Sequence, residues 1–282
     1  MDVSLYWNFS DPAASEAAFR RALSTAADGD DALVLQTQIA RTYSLRARFE
    51  DAHALLDRLE PQLASAGAEP RVRLLLERGR TFRSARVPER ARPLFAEAAE
   101  RAQAAGLDAL EIDALHMIAL VEPGIDAQLE WNRRALVLAR ASSDPIAQRW
   151  EASLANNIGW TLADAGRYEQ ALASFETALA ARERLGRTAD IRSARWMIAR
   201  TLRSLGRHDE ALARLRDLER QGEAAGEPDG YVFEEIGENL LARHEDAAAR
   251  PYFAKACQLL SADASLDRPD AERLDRLQRL GR

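Results

Sequence analysis

Arginine supplies nearly all the positive charge of this chain: a single lysine, Lys255, stands among 39 basic residues. Several arginines recur at matching places. Arg41, Arg80 and Arg200 each directly follow a small residue (Ala40, Gly79 and Ala199), and Arg83 and Arg203 come three positions after two of them. A guanidinium forks bidentately onto a carboxylate, and does so more strongly on a wall that excludes part of the water. Trp160 and Trp196 offer flat faces on which an apolar or aromatic ligand group can stack, the alternative being ordinary packing between helices. Asn156 and Asn157 carry amides that donate and accept at once.

Catalytic chemistry finds little to work with. None of the four histidines, His53, His116, His208 and His244, pairs with another His, Cys or carboxylate at a metal-ligand spacing, and neither HExxH nor CxxC occurs. His208 and His244 fall in turn segments, where exposure is expected. There is no glycine-rich phosphate loop, no GxSxG elbow and no Cys–His pairing in a helical register. Acidic pairs such as Glu234-Glu235 read as part of an ordinary charged helix. The expectation is a protein that is not an enzyme and holds neither cofactor nor metal. One cysteine, Cys257, cannot form an internal disulfide, so no oxidising compartment is needed. Met1-Asp2-Val3 opens no signal peptide and no apolar run approaches the roughly 18 residues of a membrane span, so the cytoplasm is the expected location. A formal charge of −6 argues against nucleic acid and anionic lipid as partners.

The elements that position these residues repeat. Small residues Ala40, Gly79, Ala119, Gly159, Ala199 and Gly237 lie at intervals of 39, 40, 40, 40 and 38 residues. Twelve residues beyond five of them stand Ala52, Ala91, Ala171, Ala211 and Ala249; sixteen beyond stand Leu56, Phe95, Phe175, Leu215 and Phe253. Each unit reads as two helices around a turn. Ala155, Ile158, Gly159 and Leu162 share one helical face, Ala165-Gly166-Arg167 interrupts, and Ala171, Phe175 and Ala178 resume on a second helix. Small residues let the two helices approach closely, with Phe175 filling the space beside them. In the third unit Pro123-Gly124 arrives early, and Ala127 and Trp131 are expected in place of the second-helix alanine and aromatic.

This pattern resembles the tetratricopeptide repeat (TPR) family, in six copies over residues 33–262, with a period longer than the usual ~34 residues. It is similar to the longer-helix variety of kinesin light chain-like repeats and bacterial peptide-responsive regulators. The resemblance implies an all-α, right-handed α-α superhelix of about six hairpins. Residues 1–32 and 263–282 would then be terminal capping helices: the first is opened by Asp11-Pro12, the last begins after Asp270 and carries Leu274, Leu277 and Leu280. It also implies that first helices line a concave groove. On it would lie Arg41, Arg73, Arg80, Arg83, His116, Asn156, Asn157, Trp160, Trp196, Arg200 and Arg203, with Glu234 and Glu238 reversing the charge at the far end. The expected function is a protein-interaction scaffold that binds a peptide segment, preferably acidic. Self-assembly into a homodimer through the terminal helices, or sensing of a signalling peptide by a regulator, are the rival readings.

Overall fold

Apolar residues at three- and four-residue spacings give α-helices through most of the described residues, among which no strand occurs. The computed structural model describes residues 1–26, 29–186, 188–262 and 271–282. The expected helix start at Asp270, the junction residue Arg187 and the rest of 263–270 lie outside these. Two compact units divide the chain, Met1–Leu154 and Ala155–Arg282.

In the first unit, α1 (Pro12–Thr25) precedes the hairpins α2 (Asp30–Leu45) with α3 (Phe49–Leu59), α4 (Ala68–Ser84) with α5 (Pro88–Ala104), and α6 (Asp108–Ala119) with α7 (Ile125–Ala141). A one-turn helix, α8 (Pro145–Gln148), follows. The first helices α2, α4 and α6 are neighbours in that order. Helix α9 spans Trp150–Asp164, and its residues from 155 onward belong to the second unit with α10 (Tyr168–Leu185), α11 (Thr188–Ser204), α12 (His208–Ala225), α13 (Gly230–Ala242), α14 (Asp246–Ala262) and α15 (Ala271–Leu280). The connections between hairpins are short, since Ala68–Pro70 open α4 and Gly222–Ala225 close α12.

A pairing rule holds the hairpins together. Where the small anchor is glycine, the second helix places a phenylalanine against it: Gly79 with Phe95, Gly159 with Phe175, Gly237 with Phe253. A Cβ on Gly159 would lie 2.6 Å from Phe175 Cε1, and one on Gly79 only 2.4 Å from Phe95 Cε1, so no larger residue fits. Where the anchor is alanine, the partner is the branched but shorter Leu56 or Leu215, both fully buried. Two residues after the anchor, Thr42, Thr81, Thr161 and Thr201 each donate to a backbone carbonyl of the preceding turn, which satisfies a hydroxyl on the packed face.

The inter-helix turn is equally regular. Seven residues past the anchor the backbone turns left-handed at Ala47 (φ 57°), Arg86 (62°), Gly166 (70°), Gly206 (72°) and His244 (62°). Glycine adopts that conformation freely, whereas the other three pay a steric penalty on the order of 1 kcal/mol.

The third hairpin departs from expectation. The buried positions of α7 are Leu129, Asn132, Ala135 and Ala139, whereas the anticipated Ala127 and Trp131 are half-buried. Asn132 takes the interior place and its Oδ1 lies 3.3 Å from His116 Nδ1, while Trp131 is only half-buried. Asn132 thus hydrogen-bonds within the hairpin, and Trp131 packs at the edge of the neighbouring apolar clusters.

At the N-terminus, Asp11 accepts from the Ala14 amide at 2.9 Å and caps α1, whose Phe19 is fully buried. The preceding segment, unread in the sequence, lies on α2: Trp7 Nε1 donates to Gln38 Oε1 at 3.1 Å and its ring stacks on Phe9 at 4.7 Å. On α15, Leu277 is fully buried, and Leu274 and Leu280 pack on the cluster that contains Phe253. The apolar stripe of α15 is thus turned onto its own chain.

Candidate functional site

Glu77, at the position two before the anchor of α4, is buried, and a buried carboxylate requires a cation. Arg80, one turn further on, supplies it: Nη1 donates to Glu77 Oε1 at 2.7 Å, and Nη2 reaches the Asp113 carboxylate on α6. Gln38 Nε2 on α2 adds a bond to Glu77 at 3.2 Å, and Arg41 Nη1 stands 3.9 Å away. The second oxygen of Glu77 has no partner. Burial opposes charge on Arg80, but Asp113 and Glu77 outweigh it and hold its guanidinium above the ordinary range. Burial likewise opposes charge on Asp113, yet Arg80 and Arg41 keep its carboxyl below its usual value.

Beside this network opens a cavity of about 410 Å³, lined among others by Phe9, Arg41, Arg83, Asp113, His116 and Trp150. Arg41 lies over the rings of Trp7 and Phe9, at 5.1 and 5.3 Å. Burial, and secondarily Arg80, push its guanidinium down. Arg83 is exposed at the mouth, pushed down by partial burial and by Arg80, and has no ion-pair partner among the described residues. Burial also lowers His116 below the usual imidazole value, so the ring is neutral near pH 7. Three guanidinium groups, Arg41, Arg80 and Arg83, therefore face two carboxylates, Glu77 and Asp113. One positive charge is left over, and it sits where solvent and ligand can reach it.

A larger cavity of the same unit, about 500 Å³, is lined by Arg71, Arg78 and Arg101. All three are already engaged: Arg71 with the Leu63 and Ala64 carbonyls, Arg78 with Asp57 and Glu60, and Arg101 with Glu97.

In the second unit a cavity of about 300 Å³ is lined by Trp160, Asp164, Tyr168, Phe175, Met197 and Arg200, among others. Arg200 lies over both Trp160 and Trp196, at 5.3 and 5.6 Å. Trp196 is fixed by donating Nε1–H to the Tyr231 carbonyl at 3.1 Å, and Trp160 meets Phe175 edge-on at 5.7 Å.

The uniform arginine wall expected from the sequence is thus divided. Arg41, Arg80, Arg83 and His116 come together in the first unit, and Trp160 and Arg200 line a cavity of the second, beside which Trp196 stands. Three of the expected guanidinium groups are not free: Arg73 binds Glu69, Arg80 binds Glu77 and Asp113, and Arg203 binds Glu235. Asn156 Oδ1 accepts from Arg182 at 3.3 Å, and neither it nor Asn157 lines either of these cavities. The acidic far end is covered too, since Arg273 and Arg276 of α15 bind Glu234 and Glu238. His208, expected to be exposed, is half-buried beside Asn239 Oδ1 at 3.1 Å. Sequence reasoning missed Glu77 and Asp113, although a signal existed: Asp113 falls 33 residues after Arg80, one repeat less about two helical turns, where a side chain of the next first helix meets it. It also missed Phe9, Trp150, Asp164 and Tyr168.

No helix among the described residues is long and apolar enough to cross a membrane. Residues 150–224 match the family model described as tetratricopeptide repeat. No curated protein matches the chain. Among solved structures, the apo form of RapI is similar with a TM-score of 0.77 at 12% identity, covering 98% of this chain and 79% of that one. BtubC from P. vanneervenii gives 0.61 at 14% identity, over 80% of this chain and 93% of its own. NprR in complex with its cognate peptide NprX gives 0.50 at 15%, over 99% and 82%. At these identities the likeness speaks to fold. The chain is accordingly all-α among the described residues, and its residues 150–224 are similar to tetratricopeptide repeats.

Proposed function

We propose that this chain is a non-enzymatic interaction protein that binds a peptide segment of a protein partner against its first helices. A carboxylate of that segment, from an acidic side chain or a C-terminus, is held at Arg83 and Arg41. The observation that carries this reading is the uncompensated guanidinium at the mouth of the first unit's cavity: Arg83 stands without a carboxylate while Arg80, one turn away, has two. An acidic segment supplies the missing charge. The remaining surface, with a formal charge of −6 overall, disfavours nucleic acid. Attraction between partly exposed charges is screened by salt, so binding weakens as ionic strength rises. The likeness to NprR, which was solved with its cognate peptide, favours peptide sensing as a second form of the same activity.

Arg83→Glu tests the proposal. It reverses the free charge and touches none of the internal ion pairs, so acidic-peptide binding falls at least tenfold while the unfolding temperature stays unchanged. Arg80 is unsuited to this purpose, because a glutamate there would meet Glu77 and Asp113 and disturb folding itself. Undiminished binding to Arg83→Glu would overturn the assignment.

A further inference from the structure

We propose that the cavity of the second unit is an anchor pocket for a single aromatic side chain that carries a carboxylate beside it. The inference rests on the peptide-binding reading and gives the second unit a peptide contact of its own. Its basis is a comparison between repeats in one register. Arg80 and Arg200 both directly follow an anchor, yet their surroundings differ. Arg80 is neutralised by Glu77, two before its own anchor, and by Asp113, six before the next. The corresponding places for Arg200 hold Met197 and Tyr231. Arg200 therefore keeps its charge uncompensated, with no ion-pair partner among the described residues. It is held over two indoles instead of against carboxylates.

The walls suit a flat apolar group. Trp160, Tyr168, Phe175 and Met197 enclose about 300 Å³, at the lower end of ligand-pocket sizes, which accommodates one side chain. Trp160 is already braced edge-on by Phe175, and Trp196 beside the cavity is fixed through Tyr231, so little side-chain freedom remains to be lost on binding. A guanidinium over indole faces keeps its N–H edge available for a carboxylate oxygen. Asp164, also on the lining and also without an ion-pair partner among the described residues, gives the rim a second sign. A ligand with N–H on one side of its ring-bearing carbon and carboxylate on the other satisfies both. An all-acidic segment does not.

The full chain is titrated with N-acetyl-L-phenylalanine, N-acetyl-L-phenylalaninamide and N-acetylglycine, following the indole N–H signals of its five tryptophans by NMR. Trp160→Phe and Trp196→Phe identify the two signals concerned. The Trp160 signal shifts with the phenylalanine acid, two- to fivefold more tightly than with the amide, as one partly exposed ion pair allows. N-acetylglycine leaves it in place. Arg200→Gln, on an exposed side chain, makes acid and amide equal, and Ala163→Leu, which fills the cavity, removes both responses. An unmoved Trp160 signal, or equal affinity of acid and amide in the unaltered chain, would overturn the inference. Arg83→Glu leaves these shifts unchanged. Loss of peptide binding in that variant together with a silent Trp160 rejects this pocket and keeps the first-unit site; the reverse pattern rejects that site and keeps the pocket.

Discussion

Replacing Gly159 by alanine opposes two effects of known sign. Gly159 lies inside α9, where alanine is favoured over glycine by up to about 1 kcal/mol. Its Cβ, however, would stand 2.6, 2.7 and 2.9 Å from Cε1, Cδ1 and Cζ of Phe175. Carbon atoms at rest are about 3.5 Å or more apart, so the ring must retreat by nearly an ångström. Phe175 is only 2% exposed and braced by Trp160, so it has nowhere to go. Overpacking of this kind costs about 1–3 kcal/mol, which offsets the propensity gain and leaves a net loss of about 0–2 kcal/mol. Urea unfolding followed by circular dichroism reads this directly. Phe175→Leu makes room, and the double variant recreates the Ala199–Leu215 pair that the chain already uses. The two changes should therefore couple favourably by about 1–2 kcal/mol. A stabilised Gly159→Ala, or strictly additive effects, would refute the pairing rule.

Three other outcomes are expected. Ala47→Gly and His244→Gly relieve left-handed backbone and should each stabilise by up to about 0.5 kcal/mol after the entropy of glycine is subtracted, as thermal unfolding will show. His116, held below the usual imidazole value by burial, binds its proton more readily in the unfolded chain, so stability falls as pH drops below about 6.5 and levels off below the native value. Because burial depresses His53 as well, the measurement is the difference between the unaltered chain and His116→Gln, which should lose less stability between pH 7 and pH 5. Asp113→Asn removes one of the two charges that neutralise Arg80. It should cost about 1–3 kcal/mol of stability while tightening the binding of an acidic peptide, because a second positive charge then faces the cavity.

The architecture could be read from the chain because all hairpins but the third solve the same packing problem. An anchor that must be small and a second-helix residue that fills the gap recur in phase, as at Gly159 and Phe175. The third hairpin escaped this reading because its interior is partly polar: Asn132 with His116 replaces an aromatic, and hydrophobic periodicity does not register a hydrogen bond. The site was half legible. Register put Arg41, Arg80, Arg83 and His116 on neighbouring first helices, and they do share a cavity's surroundings. Register said nothing of which arginines are already neutralised, because the partners sit one repeat away, as Asp113 does for Arg80 and Glu235 for Arg203. Nor does it reveal that a segment outside the repeats, Trp7 to Phe9, folds onto Arg41.

Selection of binders from a random peptide library against the full chain, repeated with Arg83→Glu, tests the proposed activity most directly. Binders to the unaltered chain should be enriched in acidic residues or depend on a free C-terminal carboxylate, weaken with salt, and be lost on Arg83→Glu. Binders that are neutral or basic, or that hold the variant equally well, would contradict a function founded on that unpaired guanidinium.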